Sequence, residues 1–284
     1  MKNLKTIIQR DFTKLGTEKL SKLKRAWAKE IGHIPKNSKV LQIYNQLLKE
    51  KKIKPLLDLG SFLTTRKTRT QSGVAPMAVM TKPFAYPGQC IFCPLEVGMP
   101  KSYLSDEPAA QRAKKLNFNP KLQITSRLRQ LKATGHTTDK IELIVIGGTF
   151  SAYPKNYKIS FFKAIFDTLN NQTSKNLTQA QELNEITKHR AVGISIETRP
   201  DWIIKEEVKL LRTLGVTKVQ LGVQALDEKI LKKIKRSHSI KPIANATRLL
   251  KDAGFKICYH FMPNLPGSTP KKDIEMAKLM FQDP

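Results

Sequence analysis

The sequence predicts an α/β protein, a parallel sheet covered by helices and preceded by a small basic helical module. Three observations predict it. Five short apolar stretches alternate with amphipathic ones between residues 71 and 284, as buried strands joined by crossover helices do. Polar or glycine clusters close those strands, at the ends where parallel α/β folds gather functional groups. Residues 1–70 show helical spacing and a surplus of lysine instead.

In that first region Leu20, Leu23, Ala26, Trp27 and Ile31 mark a helix over 18–31. Val40, Leu41, Tyr44, Leu47 and Leu48 mark another over 38–50, both by their apolar period. Gly32-His33-Ile34-Pro35 breaks the chain between them. Residues 1–70 hold 18 Lys and Arg against 5 Asp and Glu, a net of +13 within a total of +28. Nucleic acid is the partner such an excess serves, because each neutralised phosphate releases counterions. A generally lysine-rich composition is the alternative. A chain of 284 residues buries a sizeable core as one large domain or two small ones. Its 3 cysteines make no disulfide framework at this length and fit a reducing compartment. No apolar run reaches membrane-spanning length, and the N-terminus lacks an apolar signal region, so a cytoplasmic protein is expected.

Beyond Arg66-Lys67-Thr68-Arg69-Thr70 the texture changes. Val74–Thr81 reads as a strand running into the loop Tyr86–Pro94. Helices are expected over 108–115, opened by Pro108, and over 121–133. Ile141–Ile146 is a continuous apolar strand ending at Gly147-Gly148, followed by helices over 154–170 and 177–190. Then come strand Val192–Ile196, helix 204–214, strand Val216–Val223, helices 227–235 and 241–253, strand Lys256–Phe261 and helix 270–282. A further strand is expected where the chain stops at Pro284, so the second domain, 71–284, looks unfinished.

Cys90-Ile91-Phe92-Cys93 carries the first chemistry. Thiolates at this spacing ligate zinc or an iron–sulfur cluster, or act as a redox dithiol; two unligated thiols are the bland alternative. An iron–sulfur loop of the C-x-x-x-C-x-x-C kind needs a third thiolate at position 86, where this sequence has Tyr86. Gly147-Gly148 lets a ligand approach the backbone closely, or simply turns the chain. Glu197 is placed to hold ribose hydroxyls, or to form an ion pair with Arg199. Cys258 and His260 share one side of a strand and with Cys90 and Cys93 could complete a zinc site, although Cys258 reads better as a small apolar core residue.

Several motifs in order carry a resemblance: Thr70-Gln-Ser-Gly-Val-Ala75, Ala78-Val-Met-Thr-Lys-Pro83, Cys90-Ile-Phe-Cys93-Pro94, Lys101-Ser-Tyr103, Asp139-Lys140-Ile-Glu142, Gly147-Gly-Thr-Phe150, Ile196-Glu-Thr-Arg-Pro-Asp201, Leu221-Gly-Val-Gln224 and Met262-Pro-Asn-Leu-Pro-Gly267. Together they resemble the catalytic subunit of Elongator in its single-subunit prokaryotic form, a radical S-adenosylmethionine tRNA uridine carboxymethyltransferase. The resemblance implies a basic helical region, 1–70, that binds tRNA. It implies a partial TIM-like (β/α) radical SAM barrel, 71–284, holding a [4Fe-4S] cluster and S-adenosylmethionine. It also implies acetyl-CoA as substrate, delivered by an acetyltransferase domain that this sequence lacks.

Cys90 and Cys93 match cluster ligands, and Lys140 matches a catalytic residue that contacts acetyl-CoA. Gly147, Gly148, Thr149, Glu197, Arg199, Gln224 and His260 fall among the implied cofactor-binding positions. The implied product is a carboxymethylated wobble uridine. The implied partners are tRNA and either a second copy or Elongator-like subunits. Tyr86 departs from the family pattern, and opens the alternative of a tRNA-binding homologue that has lost its cluster.

Overall fold

The computed structural model describes residues 3–12, 20–56, 59–85 and 88–282. The chain divides into two compact units, one of residues 1–75 with 126–140 and the other of residues 76–125 with 141–284.

The first unit is helical: α1 (Leu4–Phe12), α2 (Leu20–Ile31), α3 (Asn37–Lys49) and the short α4 (Leu59–Leu63). Residues 18 and 19 of the expected second helix lie outside the described residues. Helix α1 was not expected, yet Leu4, Ile7, Ile8 and Phe12 stand at helical spacing and three of them are buried. Phe12 joins the core edge-on to Trp27 (centroids 5.8 Å apart) and to Tyr44 (5.6 Å), a geometry suited to ring quadrupoles. Both polar tips are satisfied. The Trp27 indole N–H donates to Asp11 Oδ2 at 2.9 Å, and the Tyr44 hydroxyl accepts from the Leu56 N–H at 2.9 Å.

The second unit is built on a five-stranded sheet in chain order, β1 (Ala75–Met80), β2 (Lys140–Ile146), β3 (Arg190–Thr198), β4 (Lys218–Gln224) and β5 (Lys256–Phe261). It is parallel, with Ile196 opposite Val219 and Val219 opposite Ile257. Parallel neighbours need crossovers. These run through α5 (Pro108–Lys115), α6 (Pro120–Ala133), α7 (Lys155–Asn170), α8 (Leu177–Ile186), α9 (Lys205–Thr213), α10 (Glu228–Lys233) and α11 (Ile240–Asp252), and α12 (Pro270–Gln282) follows β5.

Strict sequential order returns each crossover to the same side of the sheet. Apolar burial is accordingly one-sided. On β4, Val219, Leu221 and Val223 are buried while Lys218, Gln220, Gly222 and Gln224 alternate with them, half-buried. The expectation of strands apolar throughout is therefore corrected: one face packs under helices, where Tyr259 reaches Thr247 of α11 at 2.6 Å, and the other is polar. That polar face is knitted across strands. Lys218 Nζ meets Glu142 Oε1 at 2.6 Å, the Gln220 amide donates to Ser195 Oγ at 2.7 Å, and His260 Nε2 meets Gln220 Oε1 at 2.9 Å.

Cys258 shows the consequence. Expected in the core, it is exposed, because it shares the polar face of the last strand with His260. A second boundary also moves. Helix α8 stops at Ile186 short of the expected 190, because Asn184 bonds the turn that follows. Its Nδ2 donates to His189 O at 3.1 Å, and its Oδ1 accepts from the Ala191 N–H at 2.8 Å.

Between α7 and α9, Lys158 (3% exposed) donates to both carboxylate oxygens of Glu207, at 2.8 and 2.7 Å, and to Ser151 O at 3.1 Å. Removing one partner strands a buried charge. Glu207→Ala is expected to cost about 3–5 kcal/mol, measured by urea unfolding, whereas Glu182→Ala on exposed surface should change little.

Candidate active site

Every strand of the second unit delivers functional groups at its carboxyl end. From β1 the chain passes through Thr81 and Lys82 into the cysteine loop. Thr81 N–H donates to Ile146 O at 3.0 Å, drawing this loop against the end of β2. There Gly147 and Gly148 adopt φ of +132° and +92°, a region that favours glycine. A Cβ on Gly147 would also collide with Thr81 Oγ1. The two glycines turn their N–H groups on Glu197 at the end of β3.

Glu197 is enclosed. Its Oε2 accepts from the Tyr103 hydroxyl at 2.6 Å. Burial pushes its carboxyl pKa up, against Tyr103 and the two glycine N–H groups, which favour the charged form. Burial and the Glu197 charge push the Tyr103 phenol up as well, so Tyr103 stays a donor. The ion pair of Glu197 with Arg199, open in the sequence, is not formed. Arg199 instead grips Asp201 through Nε (2.9 Å) and Nη2 (2.7 Å).

The cysteines are drawn in by a residue that sequence motifs did not point to. Arg236, 8% exposed, donates from Nη1 to Cys90 Sγ at 3.4 Å, from Nε to His238 Nε2 at 2.8 Å, and from Nη2 to Gly222 O on β4. His238 must be neutral to accept there, so its Nδ1–H donates to Ser239 O at 3.1 Å. Burial and the Arg236 charge hold its pKa down accordingly. Gly222 is what leaves room: a Cβ there would stand 2.7 Å from Arg236 Nη2.

The Cys90 thiol falls to about 5, through a hydrogen bond from Cys93 and the bond and charge of Arg236, with Arg199 adding, against burial. Cys93 moves up, because the Cys90 sulfur takes its proton in a hydrogen bond and burial adds to this. Its Sγ lies 3.2 Å from Ser102 Oγ. The pair is thus one thiolate and one thiol. Phe92, between them, packs with Ala225, Ile230, Leu231 and Ile234.

The remaining expected residues divide. Thr149 is buried just beyond the glycines. Gln224, at the end of β4, has φ +71° and a buried Oε1 with no hydrogen-bond partner among the described residues. His260 pairs with Gln220, and burial holds its pKa down. Lys140 is exposed at the amino end of β2, roughly 20 Å along that strand from Gly147, so the strand separates it from the others. Tyr86 lies outside the described residues.

Among the described residues no three His, Cys, Asp or Glu side chains meet as a metal site. The zinc set of Cys90, Cys93, Cys258 and His260 is therefore not assembled, since Cys258 is exposed and His260 is bonded to Gln220. The third thiolate that the sequence leads one to expect falls at position 86, where the chain has Tyr86, so the expected ligand positions supply two sulfurs, Cys90 and Cys93.

A sequential parallel sheet with a C-x-x-C loop after its first strand and carboxyl-end polar groups defines a class. The chain belongs to the radical SAM superfamily, matched over residues 87–280, a family that implies S-adenosylmethionine and an iron–sulfur cluster. Within it, the chain is 45% identical over 217 residues to the tRNA uridine(34) acetyltransferase of Dehalococcoides mccartyi, covering 76% of this chain and 47% of that protein. It is 37% identical over 236 residues to Elongator complex protein 3 of Homo sapiens, covering 78% and 43%. Among solved structures, archaeal Methanocaldococcus infernus Elp3 with an N-terminal deletion (1–46) aligns with TM-score 0.63 and 42% identity over 75% of this chain and 43% of that one. The chain spans about half the length of the curated relatives it matches.

The first unit has a site of its own. A groove of about 690 Å³ beside α3 is lined by Lys39, Lys49, Arg129 and Lys132, with the amides of Gln42, Asn45 and Gln46 between them. None of the residues lining it is acidic.

Tyr103→Phe tests the Glu197 enclosure. A raised carboxyl pKa contributes stability that is full below the unfolded value and lost as pH rises through the folded one. Removing a donor to the carboxylate raises it further. The variant is expected to lose about 1–3 kcal/mol at pH 7, with the deficit shrinking as pH falls towards the carboxyl range, in urea unfolding at both pH values.

Proposed function

We propose that this chain is the radical SAM portion of a tRNA wobble-uridine-modifying protein of the carboxymethyluridine type, with acetyl-CoA as the acyl source. One observation carries this proposal: the strand-end constellation of Cys90, Glu197, Arg199 and Gln224, in a chain 45% identical to a tRNA uridine(34) acetyltransferase. Cys90, ionised beside Arg236, and Cys93 are the protein's sulfur ligands. Glu197, Gly147, Gly148, Thr149, Arg199, Gln224 and His260 line the S-adenosylmethionine side, where the unpartnered Oε1 of Gln224 suits an amino or hydroxyl donor. Bound S-adenosylmethionine supplies radical chemistry in this family. Lys140 meets acetyl-CoA at a phosphate, since its end of β2 is remote from the strand-end groups. The α3 groove takes the RNA backbone, its four cations meeting phosphates and its amides the ribose or base edges.

A second reading has its own support. Tyr86 leaves two sulfurs where the family site uses more, and this favours a homologue that keeps tRNA binding while the cluster is lost. Anaerobic reconstitution separates the two. The enzyme reading predicts about four irons per chain with matching sulfide, together with reductant-dependent cleavage of S-adenosylmethionine. The second reading predicts low iron with tRNA binding intact. Under the second reading Tyr86→Cys is expected to raise iron content, and an unchanged low content would mean that position 86 is no ligand site. For the groove, Lys39→Gln, Lys49→Gln and Arg129→Gln combined should reduce the salt slope of tRNA binding by about 2–3; an unchanged slope would place the RNA elsewhere.

A further inference from the structure

Beside the strand-end groups, three aromatic rings form a column whose outer member is open. Tyr157 stacks on Tyr153 with centroids 4.9 Å apart and planes 24° from parallel, and Phe84 follows Tyr153 at 4.9 Å and 31°. Isolated exposed aromatics are ordinary on protein surfaces. Phe84 is different in how it is backed. Tyr153 is buried, and its hydroxyl donates to Lys82 O at 2.6 Å and meets Thr81 Oγ1 at 2.9 Å. The Tyr157 hydroxyl accepts from the Lys82 N–H at 3.1 Å. Both phenols are thus fixed to the segment that carries Phe84, so the column is rigid and Phe84 keeps 41% of its surface exposed. Lys82, exposed at the same segment, sets its Nζ 5.1 Å over the Tyr157 ring.

We propose that Phe84 is a stacking platform for one unpaired nucleobase of the RNA. This rests on the tRNA reading above and names the residue that takes the base. Unpaired bases stack on aromatic faces, and a platform already held in place needs little ordering on binding. Position 84 lies between the carboxyl end of β1 and Cys90. A base seated there stands at the same sheet end as Gly147, Glu197 and Gln224. The two hydrogen-bonded tyrosines account for the rigidity and the open ring for the stacking.

The test uses the full chain and an RNA stem–loop carrying 2-aminopurine in its loop. Wild type and Phe84→Trp should both quench the probe on binding. Phe84→Ala and Phe84→Leu should bind roughly ten-fold more weakly and leave the probe bright, with the salt slope unchanged because phosphate contacts remain. Affinity for a fully paired RNA duplex should be the same in all four proteins. If Phe84→Ala binds and quenches like wild type, the platform is wrong while the tRNA reading stands. If the wild type binds neither stem–loop nor duplex, the tRNA reading fails and takes the platform with it.

Discussion

The guanidinium of Arg236 holds the candidate site together. A buried arginine is tolerable only when its charge and its donors are met, and here each direction of the fork has an acceptor: the Cys90 sulfur, the Gly222 carbonyl and the His238 ring. Each acceptor constrains the residue supplying it. Gly222 has no side chain because none fits beside Nη2. His238 is neutral because a charged ring could not accept. Cys90 is drawn out of a long loop towards β4, while the Ile91 N–H reaches Ile234 O at the end of α10 at 3.2 Å and Phe92 fills an apolar cluster. Lys101, bonded to Gly88 O, ties the other side of the loop. The loop is thereby positioned by one charge, one apolar plug and a few backbone bonds.

Glu197 is the counterpart of opposite sign. Its carboxylate is held by a tyrosine and two glycine N–H groups, and Arg199 is diverted to Asp201. The thiolate of Cys90 and the carboxylate of Glu197 therefore stay apart, each with its own donors. The buried Gln224 Oε1 is left as an acceptor without a partner among the described residues. The polar face of the sheet below them is internally satisfied through Glu142, Lys218, Ser195, Gln220 and His260. It serves as a hydrogen-bonded floor, which explains why His260 is engaged with Gln220 and not with the cysteines.

Much of this was legible in the sequence where a local rule governs. Apolar runs closed by Gly147-Gly148, Glu197 or Gln224 announce strand ends directly, and the parallel α/β class followed from them. The spacing of Cys90 and Cys93 and the Tyr86 departure were equally visible. Other features depend on contacts between distant segments. Arg236 meets Cys90 across 146 positions of sequence, and nothing in Arg236-Ser-His238 itself marks that meeting. Period-2 alternation places Cys258 on the face of His260 but does not say whether that face is covered. The Leu4, Ile7, Ile8, Phe12 period is a local signal too, although the basic residues around it blend that stretch into the rest of the region.

The central claim is that Arg236 keeps Cys90 as a thiolate within the folded chain. A depressed thiol pKa contributes stability that is full above the unfolded value, about 8.5, and is lost as pH falls through the folded value of about 5. The most direct measurement is the ultraviolet absorbance of thiolate against pH, in metal-free protein carrying Cys258→Ser so that only the loop thiols titrate. A midpoint near pH 5 that moves upward in Arg236→Met is the expected result. A first midpoint at or above the ordinary thiol value, unmoved by Arg236→Met, would contradict the account.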